Sequence, residues 1–165
     1  MRVVLLSLLM LLVLNACETK QQKDLKILLE FENKLMQVED AASNQTLAKD
    51  VLVAYDEFIR AYPAADQIPE LLFKSGEVLK GLGAYLKSAK AFHKVHNQFP
   101  NAKVAPIALF HQAHCFEQLD QFLTAKKTYE EFIERYPNHP YVDQAKGMIQ
   151  ILNFSDEELI HQFQN

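Results

Sequence analysis

PELLFKSGEVLKGLGAYLKSAKAFHKVHNQFPNAKVAP, residues Pro69–Pro106, is one period of a repeat, and its punctuation decides the fold. The dipeptides Tyr62-Pro63, Phe99-Pro100 and Tyr136-Pro137 recur every 37 residues. The same offset relates Tyr55, Phe92 and Tyr129, then Phe58, Val95 and Phe132, then Phe73 and Phe110, and Tyr85 and Phe122. A fixed period of this length marks a stack of supersecondary units, each too small to bury its apolar face alone. Within the period, Pro69 sits in a first helical turn, where its missing N–H is harmless. Leu71, Leu72, Phe73, Gly76, Leu79 and Leu82 come next at helical spacing. Gly83 supplies the turn because it takes positive φ without strain. Tyr85, Ala89, Phe92 and Val95 define a second helix, which Phe99-Pro100 ends: proline has no N–H and drives the preceding residue out of the α region.

Working outward, Pro106, Leu109, Phe110, Ala113, Phe116 and Leu119, then Phe122, Ala125, Tyr129 and Phe132, repeat the pair. Asp120 stands where Gly83 stood and is expected to cap the second helix of its pair. After Pro140 comes one more helix with Val142, Ala145, Ile149 and Leu152 on a single face, as suits the end of a stack. Ser155 with Glu158 reads as a capping box and Phe154 with Leu159 as a hydrophobic staple, opening a short helix over 156–163. Toward the N-terminus, Leu47, Val51, Leu52, Tyr55, Phe58 and Ile59 predict a helix from Thr46 to Tyr62. Leu25, Leu28, Leu29, Phe31, Leu35, Met36 and Val38 predict another near 23–41.

The chain of 165 residues is 49% apolar with four glycines, enough core for one domain and poor in the turns of an all-β fold. Its net charge of -4 leaves no basic footprint for nucleic acid. Gly-x-Ser-x-Gly, Walker, dinucleotide and Cys-x-x-Cys patterns are missing, so no enzyme activity is expected. Met1-Arg2 precedes Val3–Leu14, apolar apart from Ser7, which reads as a secretory signal. Such a run is too short to cross a ~30 Å hydrocarbon core at ~1.5 Å per residue. With Cys17 at the edge of that segment, Cys115 stands alone and no intrachain disulfide is expected. Glu18–Lys23 is polar and aperiodic; as an extended tether, residues 18–24 reach ~25 Å. The expected division is 1–16 signal peptide, 17–24 lipidated tether and 25–165 helical repeat domain.

The hairpins resemble the tetratricopeptide repeat (TPR). Gly76, Leu79, Gly83, Tyr85, Ser88, Phe92, Val95 and Pro100 stand at the family's consensus places, as do Ala113, Phe116, Asp120, Phe122, Ala125, Tyr129, Phe132 and Pro137 in the next copy. The family period is about 34; here three extra residues come after each proline. Leu14-Asn15-Ala16-Cys17 resembles a bacterial lipobox, which implies cleavage before Cys17 and acylation of its sulfur and amine. An ordinary signal peptide with an incidental cysteine is the alternative. Together these features resemble the periplasmic TPR lipoproteins of the BamD and Tol-Pal-associated kind, over residues 45–152. The resemblance implies an all-α, right-handed α-solenoid of antiparallel hairpins with a C-terminal capping helix. It also implies a scaffold without catalysis or cofactor, binding envelope proteins or peptides in outer-membrane protein assembly or a Tol-Pal-like complex. Glu18, not Asp, after the lipidated cysteine favours the outer membrane, facing the periplasm.

In this family partners lie on the wall made by the first helix of each hairpin. By consensus position that wall holds Glu70, Phe73, Glu77, Lys80, Ile107, Phe110, His114 and Glu117. Phe73 and Phe110 would be apolar anchors and the charged residues would set register. Aromatics at helical spacing are equally the mark of a core, so burial decides between the readings. A second function class is a metal- or ligand-binding lipoprotein: His93 and His96, and His111 and His114, are i, i+3 pairs on consecutive helices and would bind Zn²⁺ if the pairs met. Such spacing also arises by chance on helices, and no metal is expected. Cys115 beside His114 reads as a small apolar residue, because adjacent helix positions do not face each other. Lys87, Lys90 and Lys94 form a basic stripe that reads as a solvated outer face.

Overall fold

The computed structural model describes residues 18–37 and 44–153. The expected signal peptide, Cys17, and the capping box and helix expected beyond Phe154 lie outside the described residues. Seven helices succeed one another with no strand among the described residues: α1 (Lys20–Met36), α2 (Gln45–Ala61), α3 (Ile68–Gly81), α4 (Tyr85–Gln98), α5 (Ala105–Glu117), α6 (Phe122–Arg135) and α7 (Val142–Asn153). Each packs on the next, and α3 also touches α5. The result is an all-α solenoid of hairpins in which the odd-numbered helices share one wall. None of these helices is long and apolar enough to cross a membrane.

The aromatic–proline stops share one geometry. Tyr62, Phe99 and Tyr136 have φ/ψ of -130/62°, -129/57° and -132/55°, and their N–H groups donate to Phe58, Val95 and Phe132. Two consecutive turns come after each stop. Ala65 N–H donates to Tyr62 and Ile68 N–H to Ala65; Ala102 to Phe99 and Ala105 to Ala102; His139 to Tyr136 and Val142 to His139. The three additional residues of the period are housed in these paired turns. Each pair delivers a buried residue, Ile68, Ala105 or Val142, to start the next helix. Regular hydrogen bonding of the link fixes how one hairpin is laid on the last.

Within hairpins the α3–α4 and α5–α6 turns also match. Gly83 has φ 70° and Asp120 φ 55°. Ala84 N–H reaches back to the Leu79 carbonyl and Gln121 N–H to that of Phe116, both at 2.9 Å. Asp120 therefore does not cap α6 as expected: it takes glycine's left-handed role, which aspartate tolerates better than most residues, and Gln121 occupies the cap position.

The first helix begins earlier than its apolar pattern. Thr19 and Gln22 form a reciprocal capping box, Thr19 N–H to Gln22 Oε1 at 2.8 Å and Gln22 N–H to Thr19 Oγ1 at 3.2 Å. The expected tether is thus helical from Lys20 onward, and the ~25 Å extended reach does not apply to residues 20–24. Asp24, inside the same stretch, accepts a 2.5 Å hydrogen bond from the Tyr62 hydroxyl.

The apolar interior falls into three clusters along the stack. The first unites Leu28 and Leu35 of α1 with Val51, Tyr55 and Phe58 of α2, and takes Leu71 from α3. The middle one joins Ala89, Phe92 and Val95 to Ala108 and Cys115, with Phe73 packed against it. The last holds Leu109, Phe110, Tyr129, Phe132, Val142 and Ala145. Helices α3 and α4 approach closely at Gly76, where an added Cβ would lie 2.5 Å from Phe92 Cε1. The Ser88 hydroxyl crosses the same gap to donate to the Gly76 carbonyl at 2.7 Å. On α7, Val142 and Ala145 are buried while Ile151 is exposed, the one-sided pattern expected of an end helix.

Candidate partner-binding wall

One ion pair and one carboxylate–histidine hydrogen bond bridge neighbouring helices of the wall. Lys74 Nζ of α3 donates to Glu32 Oε1 of α1 at 2.5 Å. Glu77 of α3 meets His111 Nδ1 of α5 at 2.6 Å and Lys80 Nζ, one turn along, at 2.8 Å. A carboxylate only accepts, so His111 Nδ1 carries the proton; the 3.3 Å approach of Lys80 Nζ to that nitrogen is a contact and not a hydrogen bond. Burial works to raise the Glu77 carboxyl, but the bonds and charges of His111 and Lys80 outweigh it and hold it below the ordinary range. The His111 ring also stacks on Phe73, centroids 5.8 Å apart at 28°.

Phe73 is half-buried, with one side against Phe92 at 5.5 Å between centroids. Phe110 is 5% exposed, surrounded by Tyr129, Phe132 and Tyr141. Phe110 is therefore core and not a groove anchor, because α7 covers the position that would have been open in an uncapped hairpin. Of the expected wall, Glu70 is exposed and Phe73, Glu77, Lys80, Ile107, His114 and Glu117 keep partial access.

One turn of α5 carries unspent polar capacity. His114 Nδ1 and Glu117 Oε1 are inaccessible atoms with no hydrogen-bond partner. Burial lowers the basicity of His114, reinforced by Lys80 and His111. Burial raises the Glu117 carboxyl, partly countered by the neighbouring Tyr129 hydroxyl, although neither group closes a hydrogen bond of sound geometry. Such atoms cost about 1–3 kcal/mol each unless water or a bound partner satisfies them.

The four histidines do not converge. His93 is exposed, whereas His96 is 3% exposed and turned into the junction of α4, α5 and α6. Its Nε2 lies 2.6 Å from Gln112 Oε1, which places the proton there and leaves Nδ1 to accept from Arg135 at 3.2 Å. Arg135 also donates to the His96 carbonyl at 3.2 Å. Burial holds His96 below its ordinary pKa; the Gln112 bond opposes this and the charges of His93 and Arg135 add to it. His111 is committed to Glu77, and no group of three or more His, Cys, Asp or Glu among the described residues is placed to hold a metal ion. The Cys115 thiol is fully buried, donates to Ser88 Oγ at 3.3 Å, and is pushed up by burial, so it is no nucleophile. The His96–Gln112–Arg135 clamp was not visible in the sequence, because its three members share no helix and no period.

A stack of antiparallel helix hairpins with a partly open wall defines an α-helical repeat protein. Residues 107–139, covering α5, α6 and the last aromatic–proline stop, match the tetratricopeptide repeat family model, which supports a tetratricopeptide-repeat protein. Such repeats generally mediate protein–protein interactions and are as a rule scaffolds rather than catalysts. No curated protein sequence matches the chain.

Proposed function

We propose that this chain is a lipid-anchored scaffold of the bacterial envelope that holds other envelope proteins on the α1–α3–α5 wall. The observation that carries the binding part is the half-buried Phe73 ring on α3, left partly open beside the Glu77–Lys80–His111 group and Ile107 of α5. An extended peptide laid along the wall would cover the Phe73 ring, while Glu77 and Lys80 select its charges. The anchoring part rests on Leu14-Asn15-Ala16-Cys17 at the end of an apolar run. Acyl chains on Cys17 would tie α1 close to the bilayer, and Glu18 favours the outer membrane, with the array facing the periplasm as in BamD-like and Tol-Pal-associated lipoproteins.

Two measurements test this reading. Palmitate labelling should mark the parent chain and not Cys17→Ala; equal labelling ends the anchor. Crosslinking and affinity purification of the full chain should recover a defined set of envelope proteins. Phe73→Ala with Glu117→Ala should lose that set while keeping the helical CD signal. Recovery of the same set by the double variant would overturn the wall.

A further inference from the structure

A cleft of about 430 Å³ opens on the other side of the stack, between α2 and α4, with α3 as its floor. Its apolar lining comes from Leu52 and Ile59 of α2 and Leu72 and Leu79 of α3, all only half-buried. The α4 edge carries Lys87, Lys90 and Lys94, all exposed, and among the described residues none of the three pairs with a carboxylate. The basic stripe of the sequence is therefore one rim of a groove; the α2 rim carries Asp56, whose charge is paired with Arg60 at 2.6 Å.

The repeat itself shows that this groove is unfilled. Moving 37 residues along, Ile59 becomes His96, Ser75 becomes Gln112 and Gln98 becomes Arg135. In that second seam these three side chains form the clamp between α4, α5 and α6. There Leu109 and Ala89, the counterparts of Leu72 and Leu52, are 0% and 2% exposed, while Phe116, the counterpart of Leu79, stays half-buried. The first seam lacks the clamp and keeps its apolar floor within reach of solvent. The lysine stripe is equally particular to it, since the counterparts are Thr124, Lys127 and Glu131. Like charges at i, i+3 and i+7 weaken a helix, so α4 gains nothing of its own from them.

We propose that the α2–α4 groove binds an acidic amphipathic helix of a partner protein. Lys87 to Lys94 spans about two turns, roughly 10 Å. A helix seated there with an apolar stripe on Leu72 and Leu79 brings carboxylates at i, i+3 or i+4, and i+7 beside the three ammonium groups. A flat anionic membrane would meet the lysines but not the recessed leucines.

The probe is a labelled synthetic helix of about 15 residues, leucines on one stripe and glutamates beside it, measured by fluorescence anisotropy with the full chain. A copy with lysine for glutamate is the control. The acidic peptide should bind, and raising salt from about 0.02 to 0.3 M should weaken it as screening predicts. Lys87→Glu, Lys90→Glu and Lys94→Glu together should reduce affinity about tenfold or more. Ile59→His, Ser75→Gln and Gln98→Arg together, which graft the second seam's clamp onto the first, should abolish binding while CD stays helical. The wall variant Phe73→Ala with Glu117→Ala should bind the peptide normally, separating this groove from the wall. Equal binding of the lysine peptide, or undiminished binding by either triple variant, overturns the proposal. So does co-sedimentation with anionic vesicles without peptide binding, which would assign the stripe to lipid. Self-association that the triple glutamate variant loses would assign it to a second copy and overturn it likewise.

Discussion

Replacing Gly76 by alanine probes how tightly the middle of the stack is packed. The new Cβ would lie 2.5, 2.8 and 2.8 Å from Cε1, Cδ1 and Cζ of Phe92. The ring cannot swing aside cheaply: Phe92 is fully buried, with Phe73 and His111 each 5.5 Å away between centroids. Overpacking against a ring with no room to retreat falls in the upper part of the usual range, about 2–3 kcal/mol, and alanine in a helix returns about 1 kcal/mol over glycine. A net loss of about 1–2 kcal/mol is expected, a fall in Tm of roughly 2–8 °C for a domain of this size. Urea and thermal unfolding monitored by CD read this directly. Adding Phe92→Leu should recover part of the loss, giving a coupling of about 1 kcal/mol in a double-mutant cycle. A Gly76→Ala protein as stable as its parent would refute the reasoning, because the two helices would then have slack that the geometry denies.

Other substitutions probe the remaining tiers. Phe110→Ala should cost about 3–5 kcal/mol and melt the α5–α7 end, seen as a lower unfolding midpoint; a surface anchor would show no such loss. Asp120→Gly should raise stability by about 1 kcal/mol by relieving the left-handed backbone, with Gly83→Ala falling by a similar amount; no change in either would mean the turn is unstrained. Acidification should destabilise the fold. His96 and His114 are both held below their ordinary pKa, so their contribution is complete above about pH 6.5 and is lost as pH falls through their folded values. Glu77, also held low, adds loss at more acid pH. The urea midpoint should therefore drop between pH 7.5 and 5.5, and less so in His96→Gln; identical midpoints would contradict the burial of these rings.

The prolines made the architecture readable because they act locally: a residue ahead of proline has few conformations, and Tyr62, Phe99 and Tyr136 adopt the same one. Period did not reveal what depends on tertiary neighbours. Phe110 and Phe73 occupy equivalent repeat positions, yet only Phe110 is roofed, because α7 packs over it. Thr19 and Gln22 carried a legible capping box, but it sits ahead of any apolar periodicity and the segment read as tether. Asp120 was ambiguous in kind: the same side chain suits a helix cap and a left-handed turn, and the repeat register, with Gly83 as counterpart, settles it. The histidine pairs misled because spacing along one helix says nothing of which way its neighbour's rings turn. His96 faces Gln112 while His111 faces Glu77.

The division of the interior into three clusters bears on how the molecule comes apart. The α1–α2 hairpin is joined to the rest of the stack through Leu71, with Ala65, Val78 and Leu82 at the margin and the Lys74–Glu32 pair across the wall. Melting of that hairpin leaves the other two clusters intact, so amide protons of α1 and α2 should exchange ahead of those in α5 and α6. Under thermal stress the array would shed its first tier and shorten before it collapses.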